Sequence, residues 1–293
     1  MKDLIASKLM LSTTILSGLL VIAIAFVLLQ KSTLILTTHS LSELLFSDSW
    51  HPSKNEFGFY PFIVGTLWVT GLAMAISTAP SLLMSIYLAE YASTRLRAIV
   101  KPMVDLLAGI PSVVYGLWAL LLIVPLIRDQ VAALVGVTTT GYTVLAGGMV
   151  LAVMVTPITI SISEEVLRAV PLPIREASMA LGATRWQTVK HAIIRSAFPG
   201  IIAAVILGFG RAFGETMAVL MVVGNVPIIP VSAFDPAYPI PALIANNYGE
   251  MMSIPSYDSA LMLAALLLLL VVLLFSIMAA ALLAGIKRRY VVG

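Results

Sequence analysis

The chain has no cysteine and only three histidines, His39, His51 and His191, in 293 residues. The first absence excludes disulfides, thiol catalysis and cysteine-based zinc or iron–sulfur sites. The wide spacing of the histidines argues against a histidine-based metal site. No Gly-Lys pair occurs anywhere, so the Gly-x4-Gly-Lys-Ser/Thr phosphate loop is missing and the usual mode of ATP binding with it. Charge is scarce as well. Charged residues are 11% of the chain and hydrophobic ones 60%, where soluble domains run near about a quarter charged. With a mean hydropathy of +1.05, this is the composition of a polytopic membrane protein.

What is present is a series of apolar runs, at 11–29, 61–89, 102–127, 142–162, 199–223 and 259–286. A helix needs about 20 residues to cross a ~30 Å hydrocarbon core, so each run is a predicted span. Lys2 and Lys8 precede the first run, as in a signal peptide. The run is nevertheless of spanning length, and no small-x-small cleavage site follows Gln30-Lys31-Ser32, so it reads as an uncleaved first transmembrane helix. Six spans put both termini on one side. Lys2, Lys8, Arg95, Arg97, Lys101, Arg168, Arg175, Arg185, Lys190, Arg195, Lys287, Arg288 and Arg289 fall on one face; only Lys31, Lys54 and Arg128 fall on the other, with Arg211 inside the membrane. The positive-inside rule makes the first group cytoplasmic. The net charge of +3 is therefore topological, and no nucleic-acid partner is implied. External loops are expected at 30–60, 128–141 and 225–258. The last, rich in proline and free of Lys and Arg, is expected to cap the outer mouth. The domain division is 1–56, an N-terminal transmembrane helix and external loop, and 57–293, a core with a cytoplasmic docking loop at 163–197.

That docking loop is the one sizeable polar segment on the cytoplasmic face. Leu172-Pro173 breaks the chain, and Glu176 lies near the start of the next helix, where an acid suits the helix dipole. Ala177, Ala180 and Leu181 share a face, and Gly182 interrupts the helix, allowing a sharp turn or a close approach. The plainer alternative is a solvated linker helix, which has little reason to carry Trp186 and Val189. A short charged helix on a membrane-embedded chain, with Arg175 and Arg185, is suited to gripping a soluble partner.

Arg211 and Glu215 lie mid-way along a predicted span. Intramembrane ionisable groups are rare and usually face a bundle interior or an aqueous cavity. At i and i+4 the two are expected to pair on one helix face, a face that also carries the small residues Gly200, Ala204, Gly208 and Ala218. Arg is always protonated and presents a planar fork of donors that fits oxyanions; Glu215 is expected to hold it when no anion is present. A structural ion pair fixing helix orientation is the alternative. Pro111 and Pro157 are expected to interrupt spans and free a carbonyl each. Ser112, Thr156 and Thr159 are hydroxyls that satisfy such backbone or touch a solute, and a plain kink is the simpler reading. Asp105 is placed at the cytoplasmic start of the third span.

Glu176-Ala177-Ser178 followed by Gly182 resembles the Glu-Ala-Ala-x3-Gly signature of ABC-importer permeases. The usual continuation to Leu-Pro is absent; Ala192, Ile194 and Arg195 stand at those places. Gly210-Arg211-Ala212-Phe213-Gly214-Glu215-Thr216-Met217-Ala218-Val219 resembles the phosphate-specific importers in the version of the PstC subunit, whereas PstA subunits carry Ala-Pro after Glu-Thr. Gly58-Phe59-Tyr60-Pro61-Phe62-Ile63-Val64-Gly65-Thr66-Leu67 and Ala108-Gly109-Ile110-Pro111-Ser112-Val113-Val114-Tyr115-Gly116 extend the resemblance over 57–286. It implies an all-α membrane protein of the MetI-like ABC importer permease fold, with six transmembrane helices and a coupling helix. It implies a bacterial inner-membrane permease subunit that is not an enzyme, forms half of a phosphate path and docks an ABC ATPase. Glu176, Ala177, Ser178, Gly182, Arg175 and Arg185 would dock the ATPase; Arg211, Glu215 and Thr216 would line the substrate pathway. The implied partners are a PstA-like permease, a PstB-like ATPase dimer, a periplasmic phosphate-binding protein, inorganic phosphate and membrane lipid. No cofactor is expected on this chain, ATP being used by the partner ATPase. A PstA-type permease and a permease for another oxyanion, molybdate or sulfate, stay open. A secondary transporter would have its own coupling site in unwound helices and no reason to carry a docking helix. An intramembrane enzyme would need a nucleophile or metal that Arg211 and Glu215 do not supply.

Overall fold

The computed structural model describes residues 2–249 and 254–291, with side chains described for 6–249, 254–278 and 280–281. Lys2, Lys287, Arg288 and Arg289 therefore lie outside the described side chains. Among the described residues six helices are long and apolar enough to cross a membrane. In chain order the elements are α1 (Lys2–Lys31), α2 (Thr33–Thr38), α3 (Leu41–Phe46), a hairpin of β1 (Trp50–His51) and β2 (Glu56–Phe57), and α4 (Tyr60–Tyr91). There follow α5 (Thr94–Ala108), α6 (Ser112–Val135), α7 (Val144–Arg168), α8 (Leu172–Ala180) and α9 (Arg185–Gly214). The chain continues through α10 (Met217–Leu220), α11 (Ile240–Asn247) and α12 (Pro255–Val291).

The chain divides into two compact units, Met1–Tyr60 with Leu243–Val271 and Pro61–Ala242 with Val272–Gly293. In the first, the expected loop after α1 is folded. Ser40 caps α3 by accepting from the Glu43 amide. Asn55, at φ +61°, turns the hairpin, and Trp50 packs its ring 5.5 Å from Phe57 and 5.9 Å from Tyr257. Ser259 Oγ accepts from the Ile35 amide at 3.1 Å and donates to the Lys31 carbonyl at 2.9 Å. This satisfies a carbonyl at the end of α1 and an amide in the first turn of α2.

The second unit is built around α7, whose apolar window is 61% buried, more than that of any other span. Thr143 starts it by accepting from the Ala146 amide, and Pro157 lies buried inside it without ending it. Thr156 and Thr159 donate to the carbonyls of Ala152 and Val155, so both hydroxyls serve the backbone. The small residues of α9 face α7. A Cβ at Gly200 would lie 2.2 Å from Val166 Cγ1, and one at Gly208 2.8 Å from Thr159 Oγ1, so this stripe brings two backbones together. Residues 225–242 fold back on the same bundle: the Val144 and Leu145 amides donate to Asp235 and Ala233 carbonyls, and the Ile240 amide to Thr66 Oγ1.

Two predicted spans are corrected. The run 102–127 is cut at Gly109–Pro111. Here α5 is a separate helix, and α6 runs on through π-helical turns to Val135. Pro111 is thus the N-cap of α6 and not a kink within a span; lacking an N–H, it suits a helix start. Asp105 sits in the last turns of α5 and accepts from Ser161 Oγ at 3.1 Å. The run 199–223 is shifted toward the N-terminus. Thr184 and Gln187 form a reciprocal capping box that starts α9 at Arg185, and the helix stops at Gly214, where Glu215 turns extended at φ −73°, ψ 130°.

Candidate functional site

The polar loop between α7 and α9 presents α8. Pro171 and Pro173 start it, and Gly182 at φ +82° ends it in the left-handed region that favours glycine. Glu176, Ala177, Met179 and Ala180 are exposed, Leu181 is 90% exposed and Trp186 54%. Leu181, Met179 and Trp186 thus put apolar area in water beside a short helix, a recognised sign of an interaction surface. Val189, by contrast, is buried in a cluster with Leu167, Val170, Ile193 and Ala197. Ser178 turns inward, 3.0 Å from the Thr188 hydroxyl.

Arg175 is half-buried, whereas Arg185, like Glu176, is exposed, and both arginines are bonded within the chain. Arg175 donates to the Glu90 carboxylate at 2.8 Å and to the carbonyls of Val170 and Leu167 at 2.7 and 2.9 Å. Arg185 donates to the Glu90 carbonyl and stands over the Tyr91 ring, 4.8 Å from its centroid. Both hold the loop against the end of α4. Sequence reading missed Glu90, 85 residues from Arg175; its available signal was a lone acid closing an otherwise apolar span. A second cluster lies nearby. Glu164, 1% exposed, has Arg97, Arg168 and Lys101 at 3.5, 3.6 and 4.0 Å. Lys101 also donates to Glu165 at 3.0 Å, and that bond raises the ammonium above the ordinary lysine pKa.

Arg211 and Glu215 do not form the expected pair. Arg211 occupies the last turn of α9, where the helix dipole favours a cation. Its Nε is buried with no hydrogen-bond partner among the described residues, and Tyr115 lies within electrostatic reach. Glu215 is past the helix end. Its carboxylate accepts from the Thr216 amide at 3.2 Å and lines a cavity of about 10 Å³ with Thr66, Thr70, Pro239 and Pro241, room for one water. The i,i+4 argument fails because it presumes a helix that continues through Gly214. Thr216 donates weakly to the Gly214 carbonyl at 3.5 Å, so the pathway candidates sit on a break between α9 and α10. No group of three or more metal-ligating side chains occurs among the described residues.

Six spans, an exposed helix in a polar loop and an arginine whose Nε is buried where a span breaks mark a multi-pass membrane protein. Comparison with known proteins gives the family. Residues 81–289 match the binding-protein-dependent transport system inner membrane component, and the chain belongs to that family. It is 40% identical over 209 residues to "Probable ABC transporter permease protein YqgH" of Bacillus subtilis (strain 168), covering 71% of this chain and 66% of that one. It is 34% identical over 258 residues to "Phosphate transport system permease protein PstC" of Xylella fastidiosa (strain 9a5c), covering 83% and 79%. The fold matches a chain of the MetNI methionine ABC transporter with a TM-score of 0.57 at 17% identity, over 81% of this chain and 99% of that one. The chain is therefore a non-catalytic permease component with the all-α importer architecture.

Proposed function

We propose that this chain is the PstC-type permease subunit of an ATP-driven phosphate importer in a bacterial inner membrane. The observation that carries the reading is α8, an exposed helix bearing Glu176, Ala177 and Gly182 and held by the permease's own arginines. It is a surface built for a soluble ATPase, and ATP is then bound and hydrolysed on that separate subunit. Phosphate is the substrate that fits the name carried by the Xylella relative and the chemistry of the Arg211 fork. A PstA-like permease would complete the path, a PstB-like dimer would drive it, and a periplasmic phosphate-binding protein would deliver to it. Arg211, Glu215 and Thr216 would lie on this path. The chain needs no cofactor of its own.

Purification from native membranes in mild detergent is expected to bring down a second permease, an ATPase and a phosphate-binding protein. Phosphate uptake by the reconstituted assembly should require ATP. Recovery of the chain without an ATPase, with uptake driven by an ion gradient, would overturn the reading. Orientation is tested separately. Since the chain has no cysteine, Ser40→Cys and Ser232→Cys should label with an impermeant thiol reagent added outside sealed spheroplasts, and Thr184→Cys should not. Labelling of Thr184→Cys in sealed cells would reverse the topology.

A further inference from the structure

The last carbonyls of a helix have no partner within it, and in α4 they end in a π-helical turn, Tyr87–Tyr91. Arginines from neighbouring elements occupy these carbonyls. Arg97 of α5 donates through Nε to the Leu88 carbonyl at 2.8 Å and through Nη2 to that of Ala89 at 3.1 Å. Arg185 of α9 donates to the Glu90 carbonyl. Arg175 of α8 takes the Glu90 carboxylate and, with the same guanidinium, two carbonyls at the end of α7. Arg97 in turn faces the buried Glu164 of α7 at 3.5 Å. One turn of chain is thus gripped from three sides, by the docking helix, by the start of α9 and by α5.

The Glu90–Arg175 contact, with side chains only 10% and 18% exposed, borders a cavity. A cavity of about 390 Å³ is lined by Glu90, Arg175, Met179, Arg185, Val189 and Ile193. Beside it, Ile174 of α8 and Leu82, Ile86 and Ala89 of α4 pack against one apolar cluster around Leu167 and Val189, and the ion pair adds a directional link between the two helices. Both flanking helices carry a π-helical turn here, at Tyr87–Tyr91 and at Val189–Ile193, a local irregularity common at functional sites.

We propose that Glu90 is a positioning residue that makes α8 and the end of α4 move as one body, so that displacement of α8 by the ATPase reaches the bundle. The proposal rests on the docking role of α8 given above. It assigns to an acid outside the docking loop the coupling of hydrolysis to transport, with Arg175 as its partner and Arg97 as the onward link to α5 and Glu164.

The test uses the whole assembly in proteoliposomes, measuring uptake of radiolabelled inorganic phosphate and formation of ADP. Glu90→Ala and Arg175→Ala should each lower uptake about tenfold while hydrolysis stays within about twofold, and the double variant should be no worse than either single one. In a chain carrying Glu90→Cys and Arg175→Cys, whose side chains replace the contact between α4 and α8, a reducible bis-methanethiosulfonate bridge should restore the ratio of phosphate moved to ATP spent, and reductant should abolish it. A merely structural contact lowers uptake and hydrolysis in parallel and leaves their ratio unchanged. That result, additive single effects, or wild-type uptake in Glu90→Ala would overturn the proposal. If Glu90→Ala prevents assembly, hydrogen exchange on the chain in nanodiscs decides. Exchange should rise together at 87–91 and 172–180, and a rise confined to one segment would sink the joint. The wild-type assembly run in parallel tests docking by itself, since loss of the ATPase there defeats the docking reading while loss of coupling in the variants alone does not touch it.

Discussion

Replacing Arg211 by Gln should leave the assembled complex intact and reduce phosphate uptake by about 10–150-fold, the worth of a lost hydrogen-bonded charge at about 1.5–3 kcal/mol. Two magnitudes decide for this outcome over a structural one. A cation in the last helical turn gains about 0.3–1 kcal/mol from the dipole, whereas withdrawing an ion from water costs several kcal/mol. The dipole alone does not justify a guanidinium whose Nε is buried and unbonded among the described residues, and Glu215 forms no ion pair with it, its carboxylate lying past the helix end where it accepts from the Thr216 amide. The cation is thus without an ion-pair partner among the described residues, an arrangement the proposed oxyanion path would use. Arg211→Lys keeps the charge but not the planar fork, so its uptake should fall between wild type and Arg211→Gln. The charge exchange Arg211→Glu with Glu215→Arg should not rescue either single variant, since the side chains do not meet. Near-normal uptake by an assembled Arg211→Gln complex would falsify the pathway assignment.

Gly182→Asn separates two roles of one residue. Asn tolerates the left-handed conformation, so the chain should keep its yield and melting temperature. A Cβ at this position meets nothing within 4 Å in the permease itself. Any loss must then come from a partner that approaches the glycine closely. ATPase co-purification and uptake should both drop about 30-fold or more, the scale of a hot spot worth about 2 kcal/mol. Glu176→Lys, which inverts an exposed charge on the same helix, should do likewise. Undiminished ATPase recovery and normal transport with both variants would remove α8 from the docking surface.

The residues differ in how far sequence alone reached them. Gly182 was readable because a glycine that ends a helix leaves its mark in the local pattern, and its φ of +82° is that mark in three dimensions. Arg211 was readable as a charge out of place in an apolar run. Its relation to Glu215 was not, because helical spacing carries no record of a break at Gly214. Arg175 was assigned to the partner's side for a similar reason. A basic residue in a polar loop looks solvent-facing until its acid, far off in sequence, is brought beside it.

Sequence by itself determined the class of protein, the number of spans and the place of the short polar helix α8. These follow from sums over neighbouring residues: apolar length against bilayer thickness, Lys/Arg bias across loops, and turn-forming residues at helix ends. Tertiary structure alone decided where α5 separates from α6, which way Arg211 and Glu215 face, and what Arg97, Arg175 and Arg185 grip. Those depend on backbone conformation at Gly109–Pro111 and Gly214–Glu215 and on partners drawn from distant helices. A buried charge takes whatever group packing places within about 3–4 Å, and that group is chosen by the fold and not by proximity along the chain.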